Sequence, residues 1–269
     1  MEKLNNSSET IKDDNYYKNY DGPDKLITSW EMQKICARHQ EKYFTIHSNF
    51  FPYMSKLIGG FQGGEIIIVS GYTGQGKTEV CMSLTKDFEQ QSLGLLWFSY
   101  EIQPFFLFKK FGVNIPLFMM PKEITDSSQS WLYDRIKESV AKYDTKFVFI
   151  DHLHYIVDMM GVTRQNKSDQ IGAIMRSIKK IAIELNVCIF LVAHTTKPKG
   201  GDNDVLELGS VRDSSFIEQE ADTVLYINRA TDYENGSFIK IAKDRKNGNF
   251  NKTVKLLMTR SVMKEIEYV

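Results

Sequence analysis

From about His47 onward, short apolar runs alternate with longer stretches whose apolar residues recur every three or four positions. The short runs are apolar throughout, as in Ile66-Ile-Ile-Val69 and Phe147-Val-Phe-Ile150. A strand reads that way when both of its faces are covered, as in parallel sheets flanked by helices. Strands are predicted over Glu65–Ser70, Leu95–Ser99, Phe147–Ile150, Cys188–Val192, Thr223–Ile227, Phe238–Ala242 and Thr253–Met258. Helices are predicted over Lys77–Gln91, Ser128–Tyr143 and Ser168–Leu185. The last three strands are separated only by short Asn-Gly segments at 233–237 and 246–249, which predicts antiparallel hairpins closing one edge. The expected fold class is α/β, a mainly parallel twisted sheet with helices on both faces.

Ahead of this pattern, residues 1–23 are polar and poor in aliphatics, the composition of a disordered or loosely ordered tail. Residues 24–47 form a linker segment with one helix. Thr28 and Glu31 have capping-box spacing, and Met32, Ile35, Cys36, His39 and Tyr43 share one face. That stripe must be buried, either on its own domain or on a neighbouring subunit. Residues 48–269 then make a single domain.

Composition narrows the field. The chain has 269 residues, 42% of them apolar, enough for one well-packed α/β domain. Its 34 basic and 34 acidic residues balance, so any nucleic-acid contact must come from a local basic patch. Cys36, Cys81 and Cys188 are widely spaced and odd in number, which suits buried small hydrophobes in a reducing compartment. Neither a signal peptide nor a membrane-spanning run is visible, so a cytoplasmic protein without membrane contact is expected.

The candidate chemistry begins at Gly71-Tyr-Thr-Gly-Gln-Gly-Lys-Thr78, a complete G-x-x-x-x-G-K-T phosphate loop between a strand and a helix. Gly71, Thr73, Gly74, Gln75 and Gly76 would turn backbone N–H groups onto phosphates, with Lys77 on the β- and γ-phosphates. Thr78 would offer its hydroxyl to Mg²⁺, and Glu79 completes the binding set. Asp151 ends a predicted strand, where a carboxylate can orient Mg²⁺, although a turn-capping aspartate also fits the spacing. Glu101 follows the next strand and could serve as general base; a solvent-facing glutamate fits the spacing equally well. His194 closes a fourth strand in the same manner. His152 and His154 form an HxH pair, but no third ligand follows at a metal-site spacing, so they are expected to support or pack.

The order of these pieces resembles the DnaB-like (superfamily 4) hexameric helicase domain, built on the RecA fold. The similarity runs from FPYMSKLIGGFQGGEIIIVSGYTGQGKT through WFSYEIQP, FVFIDHLHYI and IMRSIKKIAIELNVCIFLVAH to VRDSSFIEQEADTVLYINR and IKIAKDRKNGNF, over residues 48 to 269. The resemblance implies an ATPase using ATP and Mg²⁺ that self-associates as a ring, with a hexamer expected. It implies Glu101 as catalytic glutamate, Asp151 as the Walker B residue and His194 as γ-phosphate sensor. Lys243 and Arg245 would be donated to the neighbouring subunit's ATP, Arg245 as arginine finger. Arg164 and Lys167 in one segment, and Lys197, Lys199, Arg212, Ser214 and Ser215 in another, would contact the backbone of single-stranded DNA. Ser215 stands where the family usually carries glycine, and Lys246 lengthens the spacing after the KxR pair.

A separate loader, collar or primase protein is an expected partner, because the residues ahead of the linker are too few for the family's N-terminal domain. Three functions stay open at this point: a helicase for DNA replication, a RecA-like single-strand-binding ATPase that does not unwind, and a ring ATPase acting on a protein.

Overall fold

The computed structural model describes residues 13–38, 40, 43–126, 128–153, 155–156, 167–195, 215–230, 234–259 and 262–268. The chain divides at Lys42/Tyr43 into two compact units. The first holds α1 (Asp14–Lys18) and α2 (Ser29–Arg38). The Thr28 capping box forms: Glu31 Oε2 accepts from the Thr28 amide and hydroxyl, both at 2.8 Å, and Thr28 Oγ1 accepts from the Glu31 amide at 3.2 Å. No residue of α2 is buried, and Trp30, Met32 and Ile35 are exposed.

In the second unit the order is β1 (Thr45–Ile46), α3 (Pro52–Leu57), β2 (Phe61–Gln62), β3 (Ile66–Gly71), α4 (Lys77–Gln90), β4 (Gly94–Ser99), α5 (Pro104–Phe111) and α6 (Gln129–Tyr143). There follow β5 (Thr145–Asp151), α7 (Lys167–Leu185), β6 (Cys188–His194), α8 (Ser215–Glu220), β7 (Thr223–Arg229), β8 (Gly236–Asp244), β9 (Lys252–Thr259) and β10 (Val262–Tyr268). Eight strands form one sheet in the order β10-β9-β8-β7-β3-β6-β5-β4. Strands β7, β3, β6, β5 and β4 run parallel; β8, β9 and β10 add antiparallel hairpins at one edge.

The strand order dictates where the helices lie. The chain leaves β3 for the far edge at β4, then returns through β5 and β6. Right-handed crossovers in opposite directions place their helices on opposite faces. Accordingly Val80, Cys81, Leu84 and Phe88 of α4 pack with Ile67 and Val69 on one face. Leu132 and Ile136 of α6, with Ile171, Ile174, Met175 and Ile178 of α7, pack with Ile66 and Ile68 on the other. The first face is rich in aromatics, with Phe88 stacked on Phe147 at 4.0 Å and Phe149 on Phe190 at 4.9 Å.

Several elements are not expected from the sequence. Strand β10 has only a weak apolar alternation, and its place is set by remote contacts. Glu265 caps α3, whose own N-cap residue Phe51 makes no side-chain bond, by accepting from the Tyr53 and Met54 amides at 3.0 and 3.1 Å. The Met263 amide donates to Ser83 Oγ of α4 at 2.8 Å. The expectation that all three cysteines are buried fails at one of them. Cys81 and Cys188 are buried, whereas Cys36 is exposed on α2.

Asp87 of α4 ties the segment before α3 to the core. Fully buried, it accepts from the Ser48 hydroxyl, the Phe50 amide at 3.1 Å and Gln91 Nε2 at 3.1 Å. Asp87→Ala strands a buried amide and hydroxyl and should cost about 2–4 kcal/mol. In urea titration the midpoint should fall at an unchanged slope; a midpoint equal to wild type would contradict this role.

Candidate active site

The parallel register places the predicted polar residues at one edge. Gly71 at the end of β3 pairs with His194 at the end of β6, and Ser99 at the end of β4 pairs with Asp151 at the end of β5. The Asp151 carbonyl accepts from the amides of Tyr100 and Glu101 at 2.7 and 3.1 Å, which docks the Glu101 backbone beside the Asp151 tip.

The phosphate loop needs its glycines for geometric reasons. A Cβ on Gly71 would stand 2.4 Å from the Ile227 carbonyl oxygen. Gly76 has φ +103° as it opens α4, a conformation that L side chains rarely adopt. Lys77 Nζ donates to the carbonyls of Gly71 and Tyr72, each at 3.0 Å, so the ammonium sits within the loop. Burial pushes this ammonium below the usual lysine range, while the negative charges of Asp151, Glu101 and Glu79 oppose that shift.

Thr78 Oγ1 donates to Asp151 Oδ2 at 2.9 Å. Asp151 is buried, and its Oδ1 has no hydrogen-bond partner among the described residues. Burial is the main cause that raises its carboxyl from 3.8 to about 6; Glu101 adds to the rise, and the Thr78 bond and Lys77 reduce it. A buried carboxylate oxygen with spare lone pairs beside a hydroxyl is a hard oxygen donor set, which fits a cation such as Mg²⁺.

Glu101 is exposed. Its Oε2 lies 3.7 Å from His152 Nε2 and 3.9 Å from His194 Nε2. The two imidazole rings meet edge to face at 4.4 Å. On the other side of the loop, Gln75 Oε1 accepts from the Arg229 amide. Gln75, Gly76, Glu79, Arg229, Met258 and Met263 help line a cavity of about 500 Å³. Arg229 is absent from the residues expected at the site, although it too closes a parallel strand. Glu79 does not point at the loop alone: it pairs with Lys110 of α5 at 3.0 Å.

Lys243 and Arg245 are not brought to this edge. Thr223, which opens β7, pairs with Asp244, so the end of β8 lies at the opposite edge of the sheet. There Arg245 Nη1 meets Asp222 Oδ1 at 3.2 Å and its Nη2 donates to the Gln219 carbonyl at 2.6 Å. Lys243 Nζ donates to the carbonyls of Glu218 and Gln219. Asp222 also accepts from the Ile66 amide at 2.8 Å and Lys179 Nζ at 2.6 Å. Ile66 and Gly71 are the two ends of β3, about 17 Å apart at the usual rise per residue.

Of the expected DNA contacts, Arg164, Lys197, Lys199, Arg212 and Ser214 lie outside the described residues, as does His154. Lys167 opens α7 and Ser215 opens α8. These two helices pack together, with the Gly172 position against the Phe216 ring.

Comparison with known proteins bears on the fold and the family. The family model described as "DnaB-like helicase C terminal domain" matches residues 113–265, a span that starts after the phosphate loop. The replicative DNA helicase DnaB of Mycoplasma pneumoniae is 25% identical over 224 residues, covering 70% of this chain and 47% of that protein. A probable plasmid replicative DNA helicase of Chlamydia trachomatis is 36% identical over 105 residues, covering 39% and 22%. The chain spans about half the length of the Mycoplasma protein. Among solved structures, one described as an ATPase domain superposes with a TM-score of 0.74 at 16% identity, covering 90% of this chain and 100% of that one. A DnaB-like replicative helicase described with its interactions with primase gives 0.71 at 16% identity, covering 87% and 67%. Structural likeness at that identity speaks for the fold, here the α/β sheet expected from the sequence, and the family match covers more than half of the chain. The chain belongs to the DnaB-like helicase C-terminal domain family.

Proposed function

We propose that this chain is the ATP-driven motor of a ring-forming, DnaB-type DNA helicase that moves along single-stranded DNA and unwinds duplex by strand exclusion. The observation that carries the proposal is the separation of two groups of polar and charged residues across a single sheet, which we read as two halves of one catalytic set. Lys77, Thr78, Asp151, Glu101 and His194 gather at one edge, and Arg245 stands at the other. The span of β3 exceeds an arginine's reach, so an Arg245 acting on ATP must act on another copy's. A ring in which each copy faces the next satisfies that requirement. The exposed apolar face of α2 suits the linker role of docking on an adjacent copy.

Lys77 and the loop amides would hold the phosphates of ATP, and the cavity beside Arg229 would receive the rest of the nucleotide. Thr78 and Asp151 would hold Mg²⁺, which when bound neutralises charge on the transferring group. Glu101 would take a proton from the attacking water as its oxygen bonds to the γ-phosphorus and the bond to the ADP oxygen breaks. The neighbour's Arg245 would stabilise the charge on the transferring group, and its cis partners Asp222 and Gln219 would release it for that task. The segments carrying Arg164 and Lys167, and Lys197, Lys199, Arg212, Ser214 and Ser215, follow β5 and β6. Strands β5 and β6 end at the edge that bears Asp151 and His194, so a change at the γ-phosphate would be passed along the chain from those tips. Single-stranded DNA, further copies of the chain, and a separate loader, collar or primase are the partners of this reading. Among the described residues no helix is long and apolar enough to cross a membrane.

A fork with a 5′ single-stranded tail tests the function. With ATP and Mg²⁺ the tailed strand's complement should be displaced, and single-stranded DNA should stimulate hydrolysis. Stimulation without displacement would replace the helicase with a single-strand-binding ATPase. Hydrolysis indifferent to DNA would replace it with an ATPase acting on a protein.

The Asp151 site generates a second expectation. Its carboxyl keeps a proton up to about pH 6 when folded but only to 3.8 when unfolded. Stability is therefore lost as pH rises between those values, by about 3 kcal/mol in total. Asp151→Asn removes that loss. Without Mg²⁺ at pH 7.5 the variant should melt at least about 5 °C higher than wild type, with the gap closing toward pH 4, while hydrolysis is abolished. A variant that melts lower at pH 7.5 would contradict the burial account.

A further inference from the structure

In the sequence, His152 lacks a third metal ligand at a suitable spacing. The sheet supplies the missing ligands from other strands. Strands β4, β5 and β6 are neighbours, and Glu101, His152 and His194 stand at or just beyond their ends. One ligand atom from each lies within 4.8 Å of the other two. Glu101 Oε2 is the shared apex, 3.7 Å from one imidazole nitrogen and 3.9 Å from the other. Donors on a tetrahedral Zn²⁺ stand about 3.3 Å apart, so the exposed Glu101 needs to shorten each of its two distances by only about half an ångström. The two imidazole nitrogens, within 4.8 Å of each other, must also draw together; the rings already pack edge to face, with His152 buried.

The donor chemistry separates this cluster from the Mg²⁺ position. Thr78 and Asp151 offer only oxygen, which suits Mg²⁺. Two imidazoles and one carboxylate suit Zn²⁺, Co²⁺, Ni²⁺ or Cu²⁺, and leave a coordination position open to water.

We propose that Glu101, His152 and His194 form an inhibitory site for a nitrogen-preferring divalent cation, with Zn²⁺ as the fitting ion. A cation there occupies the carboxylate that would otherwise accept the water's proton, and it fixes His194 in place. Binding at the site stands on the cluster's geometry alone. Its inhibitory effect rests on the reading of Glu101 as general base.

Co²⁺ titration of the Cys36→Ser chain tests binding, without nucleotide, DNA or Mg²⁺, so the result does not depend on the helicase reading. Removing the exposed Cys36 thiol eliminates a competing ligand. One Co²⁺ per chain should appear with visible absorption of four- or five-coordinate geometry, and Zn²⁺ should displace it. His152→Gln and Glu101→Gln should each weaken binding by about tenfold or more. The two variants remove different ligands, and circular dichroism together with retained ATP binding identifies the folded ones. Binding that survives both substitutions in folded protein, or no binding by the parent, would overturn the site. In the hydrolysis arm, Zn²⁺ should slow the parent by about tenfold and be reversed by chelator. It should leave the residual rate of His152→Gln nearly unchanged. Co²⁺ bound as expected, with hydrolysis indifferent to Zn²⁺, would overturn the inhibitory role while leaving the motor reading intact.

Discussion

The parallel register of the central strands is the constraint on which the site depends. Strands β3, β5 and β6 are buried on both faces, so their interiors admit almost nothing but Ile, Val, Leu and Phe. Polar chemistry is pushed to the ends, and parallel strands share one end. The pairings Gly71 with His194 and Ser99 with Asp151 then bring loop, carboxylates and imidazole together without any long-range search. The same sheet carries Lys243 and Arg245 to its other edge by the opposite device. Because β8 runs antiparallel to β7, the KxR pair at its end lands where the parallel strands begin.

Electrostatics at the gathered edge explains why such a site is costly to fold and ready to bind. Burial disfavours the charged form of Lys77 and of Asp151 alike. Each is only partly compensated by the other, and Asp151 keeps one oxygen without a protein partner among the described residues. On the proposed function, a cation with its phosphate groups would supply the missing charges of both signs. Strain of this kind is common at functional sites, where the fold gives up stability for pre-organisation. At the far edge the charges are matched within the chain, since Asp222 is held by Lys179 and Arg245. Arg245 therefore has a resting place on its own copy.

Much of this was legible in the sequence, for reasons that are local. The seven expected strands and three long helices are present, with ends displaced by a few residues at most. Continuous apolar runs and three-to-four periodicity depend on burial, which the sheet then provides. What escaped depends on distant partners. Strand β10 is held by the α3 amides and Ser83, neither of which its own pattern announces. Helix α5 is only eight residues long and carries four consecutive apolar residues, Phe105–Phe108, a run too short for its period to separate a helix from a strand. The polar tips Glu101, Asp151 and His194 could be read because each follows an apolar run. The proximity of His152 to two of them could not, since no spacing rule spans three strands. Arg229 could have been found by the same tip rule. The displacement of Arg245 to the opposite edge follows only once the hairpin sense of β7 and β8 is known.

The central claim is that one copy's phosphate edge is completed by another copy's arginine edge. Its most direct measurement is the hydrolysis rate of mixtures of Arg245→Ala and Glu101→Gln chains, each inactive alone. Mixed assemblies contain interfaces that pair an intact Glu101 edge with an intact Arg245, so a bell-shaped recovery of activity against mixing ratio is expected. No recovery at any ratio, with mixed assembly verified by light scattering, would contradict the account.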